Sequence, residues 1–220
     1  MPPNEPRYRA ILFDLDGTLT DPFEGISNCI AYAMDRLGEA RPGDVDMRRF
    51  IGPPLLDTFR ELLGAERAPR ALEYYRERFS DSGWLENAVY PGIPEALAAM
   101  TAAGYRCFVA TSKPQVFATR IIEHFELSRY FTAVYGSEPD GTRTDKTDLL
   151  RFAARHRSAV RESVMIGDRH HDVVGAINNG FRAIGATWGY GSADELLGAG
   201  ADPLAAEPEQ LPGLIEFDEG

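Results

Sequence analysis

The stretch AILFDLDGT, residues 10–18, decides the fold of this chain. Its apolar run Ala10–Phe13 predicts a buried strand, because the run is continuous rather than alternating. Two carboxylates, Asp14 and Asp16, follow where that strand should end, and Gly17 then favours a turn. Buried carboxylates are costly unless a cation or a proton compensates their charge. The end of this strand is therefore a candidate functional site.

Composition limits the class of protein. The 220 residues suffice for one medium domain or for a domain with a smaller insert. A net charge of −11 argues against nucleic acid as a partner, since binding a phosphate backbone needs a basic surface. No stretch approaches the about 20 apolar residues of a membrane span, and no signal peptide is recognisable. We expect a cytoplasmic protein without a membrane partner, in which Cys29 and Cys107 are unpaired buried thiols.

Short apolar runs alternate with amphipathic patterns over the last two thirds of the chain. The expected strands are 106–110, 133–135, 163–166 and 182–186, and the expected helices are 93–103, 115–127, 145–156 and 172–179. Such alternation predicts an α/β fold with a doubly wound parallel sheet. Residues from about 23 to 87 show helical spacing only. The predicted domains are an α/β core of 1–21 and 88–220 and an inserted α-helical domain of 22–87.

Three further segments place polar groups after expected strands. Thr111 and Ser112 follow one strand and precede a helix, where hydroxyls and N–H groups bind anions, although ordinary N-capping is the alternative interpretation. Lys146 lies near the start of a helix, where the dipole disfavours a cation unless an anion offsets it. Only two of the 23 basic residues are lysines, Lys113 and Lys146, and both lie in these segments. Ligands bind at the carboxyl ends of parallel strands, so we expect the segments to converge.

The last segment contains Asp168 and Asp172, directly after an expected strand. Their i, i+4 spacing places both on one side of the turn that enters a helix, although Asp168 could instead cap that helix. His170 and His171 suggest a transition metal, but adjacent histidines do not readily face one ion. Carboxylates dominate the segment, which favours Mg²⁺ over zinc.

Together these segments resemble the haloacid dehalogenase (HAD)-like hydrolase superfamily, and specifically its phosphoglycolate phosphatase-like branch with a helical cap. The motifs that carry the resemblance are Asp14-x-Asp16-Gly17-Thr18, Thr111-Ser112-Lys113-Pro114, Lys146, Gly167-Asp168-x-x-x-Asp172 and Thr187-Trp188-Gly189-Tyr190-Gly191. The resemblance implies a Rossmann-like core and a Mg²⁺-dependent phosphatase that hydrolyses a small phosphate monoester through an aspartyl-phosphate intermediate.

The resemblance also implies a role for each motif. Asp14 would be the nucleophile and Asp16 the general acid and base, while Lys146 would bind both the phosphate and Asp14. The phosphoryl oxygens would be held by Gly17, Thr111, Ser112 and Lys146. Mg²⁺ would be bound by Asp14, Asp168 and the carbonyl of Asp16, with Asp172 completing or supporting this shell.

Several alternatives remain open at this point. Asp16 argues against a dehalogenase of this fold, which lacks the second acid. The phosphonate-cleaving and β-phosphoglucomutase branches rely on a cap lysine, and no lysine lies between residues 21 and 88. A receiver-type phospho-acceptor module is shorter and carries adjacent acids on its first strand. A catalytically silent binding protein is the other non-enzymatic alternative, and the complete set of motifs argues against it.

The substrate is less constrained than the reaction. Phosphoglycolate is the expectation for the branch as a whole. The runs Tyr135–Glu138 and Asp140–Arg143 resemble those of members described as nucleotidases, which makes a 5′-nucleotidase acting on nucleoside monophosphates the alternative. Possible substrate contacts in the insert are Arg48, Arg49, Arg60 and the turn 52–54. The sequence does not predict the oligomeric state.

Overall fold

A computed structural model of the chain describes residues 10–41, 47–52, 54–138, 140–155 and 163–216. The strands are β1 (Ala10–Phe13), β2 (Thr20–Asp21), β3 (Ala88–Val89), β4 (Arg106–Pro114), β5 (Phe131–Ser137), β6 (Ser163–Gly167), β7 (Arg182–Ala186) and β8 (Leu204–Ala205). The α-helices are α1 (Phe23–Leu37), α2 (Leu55–Leu63), α3 (Ala68–Arg78), α4 (Ile93–Ala102), α5 (Gln115–His124), α6 (Lys146–Arg155), α7 (His170–Asn178), α8 (Ala193–Ala199) and α9 (Leu211–Glu216). Short 3₁₀ turns lie at Met47–Phe50, Leu127–Tyr130 and Pro208–Gln210, and a π-helical turn lies at Phe79–Gly83.

Six strands form one parallel sheet in the order β5-β4-β1-β6-β7-β8. Leu12 of β1 pairs with Phe108 of β4 on one side and with Met165 of β6 on the other. The residues of β1 are at most 3% exposed, which explains their unbroken apolar run. The predicted α/β fold with a doubly wound parallel sheet is confirmed.

The order of the strands reverses at β1. From β1 the chain continues to β4 and β5 on one side of the sheet, and later to β6, β7 and β8 on the other. A switch of this kind opens a crevice at the carboxyl ends of the central strands, because the connections leave in opposite directions. Asp14 follows β1 directly and therefore lies at the mouth of this crevice.

The structure differs from the expected elements in several places: for example, β5 spans Phe131–Ser137 rather than 133–135, and α5 ends at His124 rather than at 127. The fourth strand continues past Ala110 to Pro114, because its pairing with β5 resumes at Pro114 and Ser137 after an irregularity. The strands β2, β3 and β8 have two residues each, too few to leave an alternating or apolar pattern. Among them, β8 extends the main sheet beyond the last expected strand.

The chain divides into two compact units. One unit takes in the described residues of Met1–Leu19 and Val89–Gly220, and the other takes in those of Thr20–Ala88. The second unit is mainly helical, and its aromatic core includes Phe59 packed edge-on against Tyr75 with ring centroids 6.1 Å apart.

Each unit contains one of the two cysteines. Cys29 and Cys107 are both free and buried, and burial raises the pKa of the Cys107 thiol to about 12. Among the helices that the structure describes, none combines the length and the apolar character needed to cross a bilayer.

An ion pair between Arg78 and Glu86 stabilises the helical unit. The guanidinium donates to both carboxylate oxygens at 2.7 and 2.8 Å, and Asn28 donates to the same carboxylate at 3.2 Å. The paired side chains are only 20% and 28% exposed, so water screens the pair incompletely. The hydrogen bonds from Arg78 hold the pKa of Glu86 below its ordinary value.

We expect this pair to make stability depend on pH. Because the pKa of Glu86 is lower in the folded state, its contribution is present above the unfolded pKa and disappears as pH falls through the folded value. Urea unfolding should give a free-energy difference between wild type and Glu86→Gln of about 1 kcal/mol at pH 7 that declines below about pH 4.3 and is lost once pH falls below the lowered pKa of Glu86. The control is Glu73→Gln, whose exposed pair with Arg70 should contribute little. A difference that persists at low pH would contradict this assignment.

Candidate active site

Lys146 is the centre of the cluster of charges at the carboxyl ends of the strands. Its ammonium lies 2.8 Å from Oδ1 of Asp14 and 2.7 Å from Oδ1 of Asp172, and it donates to the carbonyl of Ala110 at 2.9 Å. Burial opposes this charge, but the two carboxylates outweigh burial and raise the pKa of Lys146 above its ordinary value. An ammonium has three donors, so a phosphoryl oxygen that binds Lys146 must share or replace one of these partners.

Asp168 is fully buried and is held from both sides of its carboxylate. Thr18 Oγ1 donates to Oδ1 at 3.1 Å, and the backbone N–H of Tyr190 donates to Oδ2 at 2.9 Å. These contacts point the carboxylate towards the first motif, so the alternative in which Asp168 caps the following helix is wrong. Burial and the charges of Asp172 and Asp14 raise its pKa to about 8.

Asp172 lies in the first turn of α7, where its side chain accepts a hydrogen bond from the backbone N–H of Arg169 at 3.2 Å. Burial raises the pKa of Asp172 to about 6, although the charge of Lys146 opposes the rise.

These carboxylates are suited to a hard cation. Ligand atoms of Asp14, Asp168 and Asp172 all lie within 4.8 Å of one another, and all three residues are buried. One ammonium cannot neutralise three buried carboxylates, so a divalent cation fits both the charge and the oxygen donors. The carbonyl of Asp16, the other expected ligand, lies on the same turn as Asp14.

Glycines make room for the buried carboxylates. Gly17 has φ +87°, and a Cβ there would lie 2.3 Å from Oδ2 of Asp168. A Cβ on Gly167 would lie 2.3 Å from the Asp172 side chain, and one on Gly189 would lie 2.3 Å from the carbonyl of Gly17. The turn after β1 therefore packs closely against the loop after β7, and Asp168 contacts both.

Thr111 and Ser112 lie at the end of β4, as expected, but their hydroxyls have different hydrogen-bond partners. Thr111 is 2% exposed, and its Oγ1 accepts a hydrogen bond from the N–H of Lys113 at 3.2 Å, which leaves the hydroxyl proton available to an anion. The hydroxyl of Ser112 donates to the carbonyl of Thr144 at 2.9 Å, and the carbonyl of Ser112 accepts from Ser137 at 2.8 Å. The side chain of Ser112 thus fixes the segment that leads to Lys146.

Asp16 forms an ion pair with Lys113, in which Nζ and Oδ2 lie 2.5 Å apart. Burial raises the pKa of Asp16 above its ordinary value, and the charge of Lys113 and its hydrogen bond oppose the rise. Both residues lie in motifs that the sequence analysis identified, but the sequence did not predict that they form an ion pair.

The histidines interact with each other and with a glutamate. His170 Nδ1 lies 2.9 Å from Oε1 of Glu195, and His171 Nδ1 lies 3.1 Å from His170 Nε2. Arg169 also binds Glu195, at 3.0 Å, and hydrogen bonds from His170 and Arg169 outweigh burial and lower the pKa of Glu195 to about 2. Burial lowers the pKa of His171 to about 4, so this imidazole is neutral at pH 7.

The three arginines of the insert that the sequence offers as substrate contacts have contacts within their own unit. Arg49 pairs with Glu61, and Arg60 pairs with Asp57 at 2.7 Å. The guanidinium of Arg48 lies 5.5 Å from the ring centroid of Phe23. In the turn 52–54, Pro53 lies outside the described residues.

Three residues that support the site were given no individual role from the sequence. Thr18 and Tyr190 hold Asp168, and Trp188 Nε1 donates to the carbonyl of Thr18 at 3.0 Å. All three lie in motifs that the sequence singled out. Their partners are 22 to 170 residues away along the chain, so sequence spacing carries no signal for these contacts.

Replacing Gly17 should damage the cation site specifically. We expect Gly17→Ala to weaken Mg²⁺ binding about 10- to 100-fold, because its Cβ would displace the Asp168 carboxylate. The matched control is Gly104→Ala: Gly104 has φ +89° but no atom within 4 Å of its Cβ position. Both variants should lose about 1 kcal/mol of stability from the strained backbone, and only the first should lose affinity. Calorimetric titration with Mg²⁺ measures this, and equal affinities would refute the displacement.

Comparison with known proteins identifies the family. The model of the haloacid dehalogenase-like hydrolases matches residues 11–186. A 5′-nucleotidase of Pseudomonas aeruginosa is 50% identical over 193 residues, which are 86% of this chain and 87% of that protein. The tyrosine-protein kinase PtkA of Mycobacterium tuberculosis is 40% identical over 187 residues, 84% of this chain and 64% of that protein.

More distant relatives and solved structures agree with this family. A phosphoglycolate phosphatase of Vibrio parahaemolyticus is 25% identical over 214 residues, 92% of this chain and 94% of that protein. The crystal structure of a predicted phosphatase from Clostridium acetobutylicum has a TM-score of 0.86 at 40% identity and covers 94% of this chain and 98% of its own. The resemblance stated from the motifs is confirmed, and the chain belongs to the haloacid dehalogenase-like hydrolase family.

Proposed function

We propose that this chain is a phosphatase that hydrolyses a small phosphate monoester through an aspartyl-phosphate on Asp14. The observation that carries the proposal is the buried Lys146 ammonium, which lies between Asp14 and Asp172 at 2.8 and 2.7 Å. This contact fixes one carboxylate at the mouth of the crevice beside a permanent positive charge. A carboxylate placed in this way can approach an anionic phosphate, because the positive charge reduces their repulsion.

The first step forms the intermediate. A carboxylate oxygen of Asp14 attacks phosphorus, the bond between phosphorus and the ester oxygen breaks, and its electron pair moves onto that oxygen. Asp16, two residues along the same turn, gives its proton to the ester oxygen as the alcohol leaves. In the second step Asp16 takes a proton from water, whose oxygen attacks phosphorus and releases inorganic phosphate and the Asp14 carboxylate.

The phosphoryl group needs donors and a counter-charge. The hydroxyl of Thr111 and the backbone N–H groups of Gly17 and Ser112 would hold its oxygens, together with Lys146. Asp14, Asp168 and the carbonyl of Asp16 would bind Mg²⁺, with Asp172 completing or supporting the set; when bound, Mg²⁺ supplies positive charge to the phosphoryl oxygens. Thr18 and Tyr190 keep Asp168 in its orientation.

Two substrate classes follow from different observations. Phosphoglycolate is the substrate expected for the branch that the motifs resemble. A nucleoside 5′-monophosphate is favoured by the run 135–143 and by the 50% identity to a protein named 5′-nucleotidase. Both are small phosphorylated metabolites of a kind found in the cytoplasm, where free thiols such as those of Cys29 and Cys107 persist.

Removal of the metal or of the nucleophile should abolish activity. We expect phosphate release from 4-nitrophenyl phosphate to stop with EDTA and to return with Mg²⁺, because the carboxylates would then repel the substrate. Asp14→Asn should lower kcat by about 1000-fold or more, since an amide cannot form the intermediate. The control is Asp35→Asn in the insert, which removes an exposed pair with Arg41 and should leave kcat unchanged. Activity that survives EDTA or Asp14→Asn would disprove the mechanism.

A phosphate-release screen decides the substrate class. We expect either phosphoglycolate or nucleoside 5′-monophosphates to give a kcat/KM at least about 10-fold above that of the other, because a matched site gains about 1.4 kcal/mol or more from groups beyond the phosphate. The screen compares both with β-glycerophosphate, which has neither a carboxylate nor a base. Equal values for all three would show that this site does not select either class.

A further inference from the structure

Lys113 is a buried cation that the mechanism above does not use. It lies at the end of β4, beside the turn after β1, and its Nζ is 2.5 Å from Oδ2 of Asp16. The side chains of Lys113 and Asp16 are 6% and 18% exposed. A lysine this far from solvent loses most of its hydration, so its position depends on the carboxylate that it binds.

The two oxygens of Asp16 have different environments. Oδ2 accepts a hydrogen bond from Lys113, whereas Oδ1 is buried and no described residue donates to it. A buried polar atom without a partner costs free energy and is uncommon in a folded protein. At a site of proton transfer such an atom has a use, because it can exchange a proton with the substrate without first breaking a bond to the protein.

An ammonium suits this arrangement better than a guanidinium. The planar fork of arginine commonly binds both oxygens of a carboxylate, whereas an ammonium is a compact donor that can bind one. All but two of the 23 basic residues of the chain are arginines, and the two lysines contact the two acids of the first motif. Lys146 binds Asp14, and Lys113 binds Asp16.

We propose that Lys113 is a positioning residue for proton transfer: it holds Oδ2 of Asp16 so that Oδ1 faces the ester oxygen of the substrate. This inference rests on the proposed function. As the bond between phosphorus and the ester oxygen breaks, the electron pair moves onto that oxygen, which takes the proton from Oδ1. Without Lys113 the Asp16 side chain can rotate away, and the leaving oxygen must depart without a proton.

The dependence on the leaving group distinguishes this role from a structural one. Phenoxide is a stronger base than 4-nitrophenoxide and therefore needs the proton more. We expect Lys113→Met to lower the ratio of kcat for phenyl phosphate to kcat for 4-nitrophenyl phosphate about 10-fold, and Asp16→Asn to lower it at least as much. In the double variant the Lys113 change should have no further effect on this ratio, because both changes remove the same proton transfer.

The control is Arg78→Met, which breaks a partly buried ion pair of the insert and should lower the unfolding temperature without changing the ratio. The measurement uses the full chain with saturating Mg²⁺, and circular dichroism checks the fold of each variant. Should Lys113→Met not fold, Lys113→Arg provides the same readout, because it keeps the buried charge but moves the donor; we expect a ratio between those of wild type and Asp16→Asn.

Three results would overturn the positioning role. The first is an equal loss of kcat on both substrates in Lys113→Met, and the second, if only Lys113→Arg folds, is a wild-type ratio of the two kcat values in that variant. The third is a ratio that is lower in the double variant than in Asp16→Asn alone. Failure of the proposed function has a different signature. In that case the wild-type chain releases no phosphate from either ester, or Asp14→Asn is as active as wild type. An inactive Asp14→Asn together with an unchanged ratio in Lys113→Met would refute the role of Lys113 alone.

Discussion

The burial of three carboxylates around one ammonium is the constraint on which the rest of the core depends. Asp14, Asp168 and Asp172 lie within 4.8 Å of one another, and Lys146 contacts two of them. The pKa of Asp168 is raised to about 8 because burial and its neighbours disfavour its charge. Such a cluster opposes folding, so the surrounding structure must hold it in place. It also leaves a deficit of positive charge that a divalent cation can fill.

The sheet brings these residues together although they are up to 158 positions apart in the sequence. Each follows a strand or begins a helix at the carboxyl edge, and the reversal of strand order at β1 places those edges side by side. The loop after β7 closes the cluster: Tyr190 holds Asp168, and Trp188 holds the turn that contains Thr18. The site is therefore built from the ends of adjacent strands and the starts of the helices α6 and α7, which position its side chains more precisely than loops would.

Much of the architecture was predictable because it depends on local patterns. The bounds expected for the apolar strands at 10–13 and 182–186 are those observed, and the acids after strands were identified from their positions. The hydrogen bonds and ion pairs that orient the side chains of the site were not predictable from the sequence. The donor to Asp16, the partners of Asp168 and the use of the Ser112 hydroxyl each depend on how separate segments pack. Strand β8 was missed because two residues carry no periodicity.

The two acids of the first motif show how neighbouring groups acquire different chemistry. Asp14 and Asp16 share one turn and one side-chain type, yet their partners differ. Asp14 is bound by an ammonium that also binds Asp172 and a carbonyl, so it belongs to a fixed network next to the candidate cation site. Asp16 has one described donor, on Oδ2, and its other oxygen is buried without a partner. In the proposed mechanism the nucleophile needs a fixed position and the acid–base group needs an uncommitted oxygen. The contacts of the two lysines would give Asp14 and Asp16 these different environments.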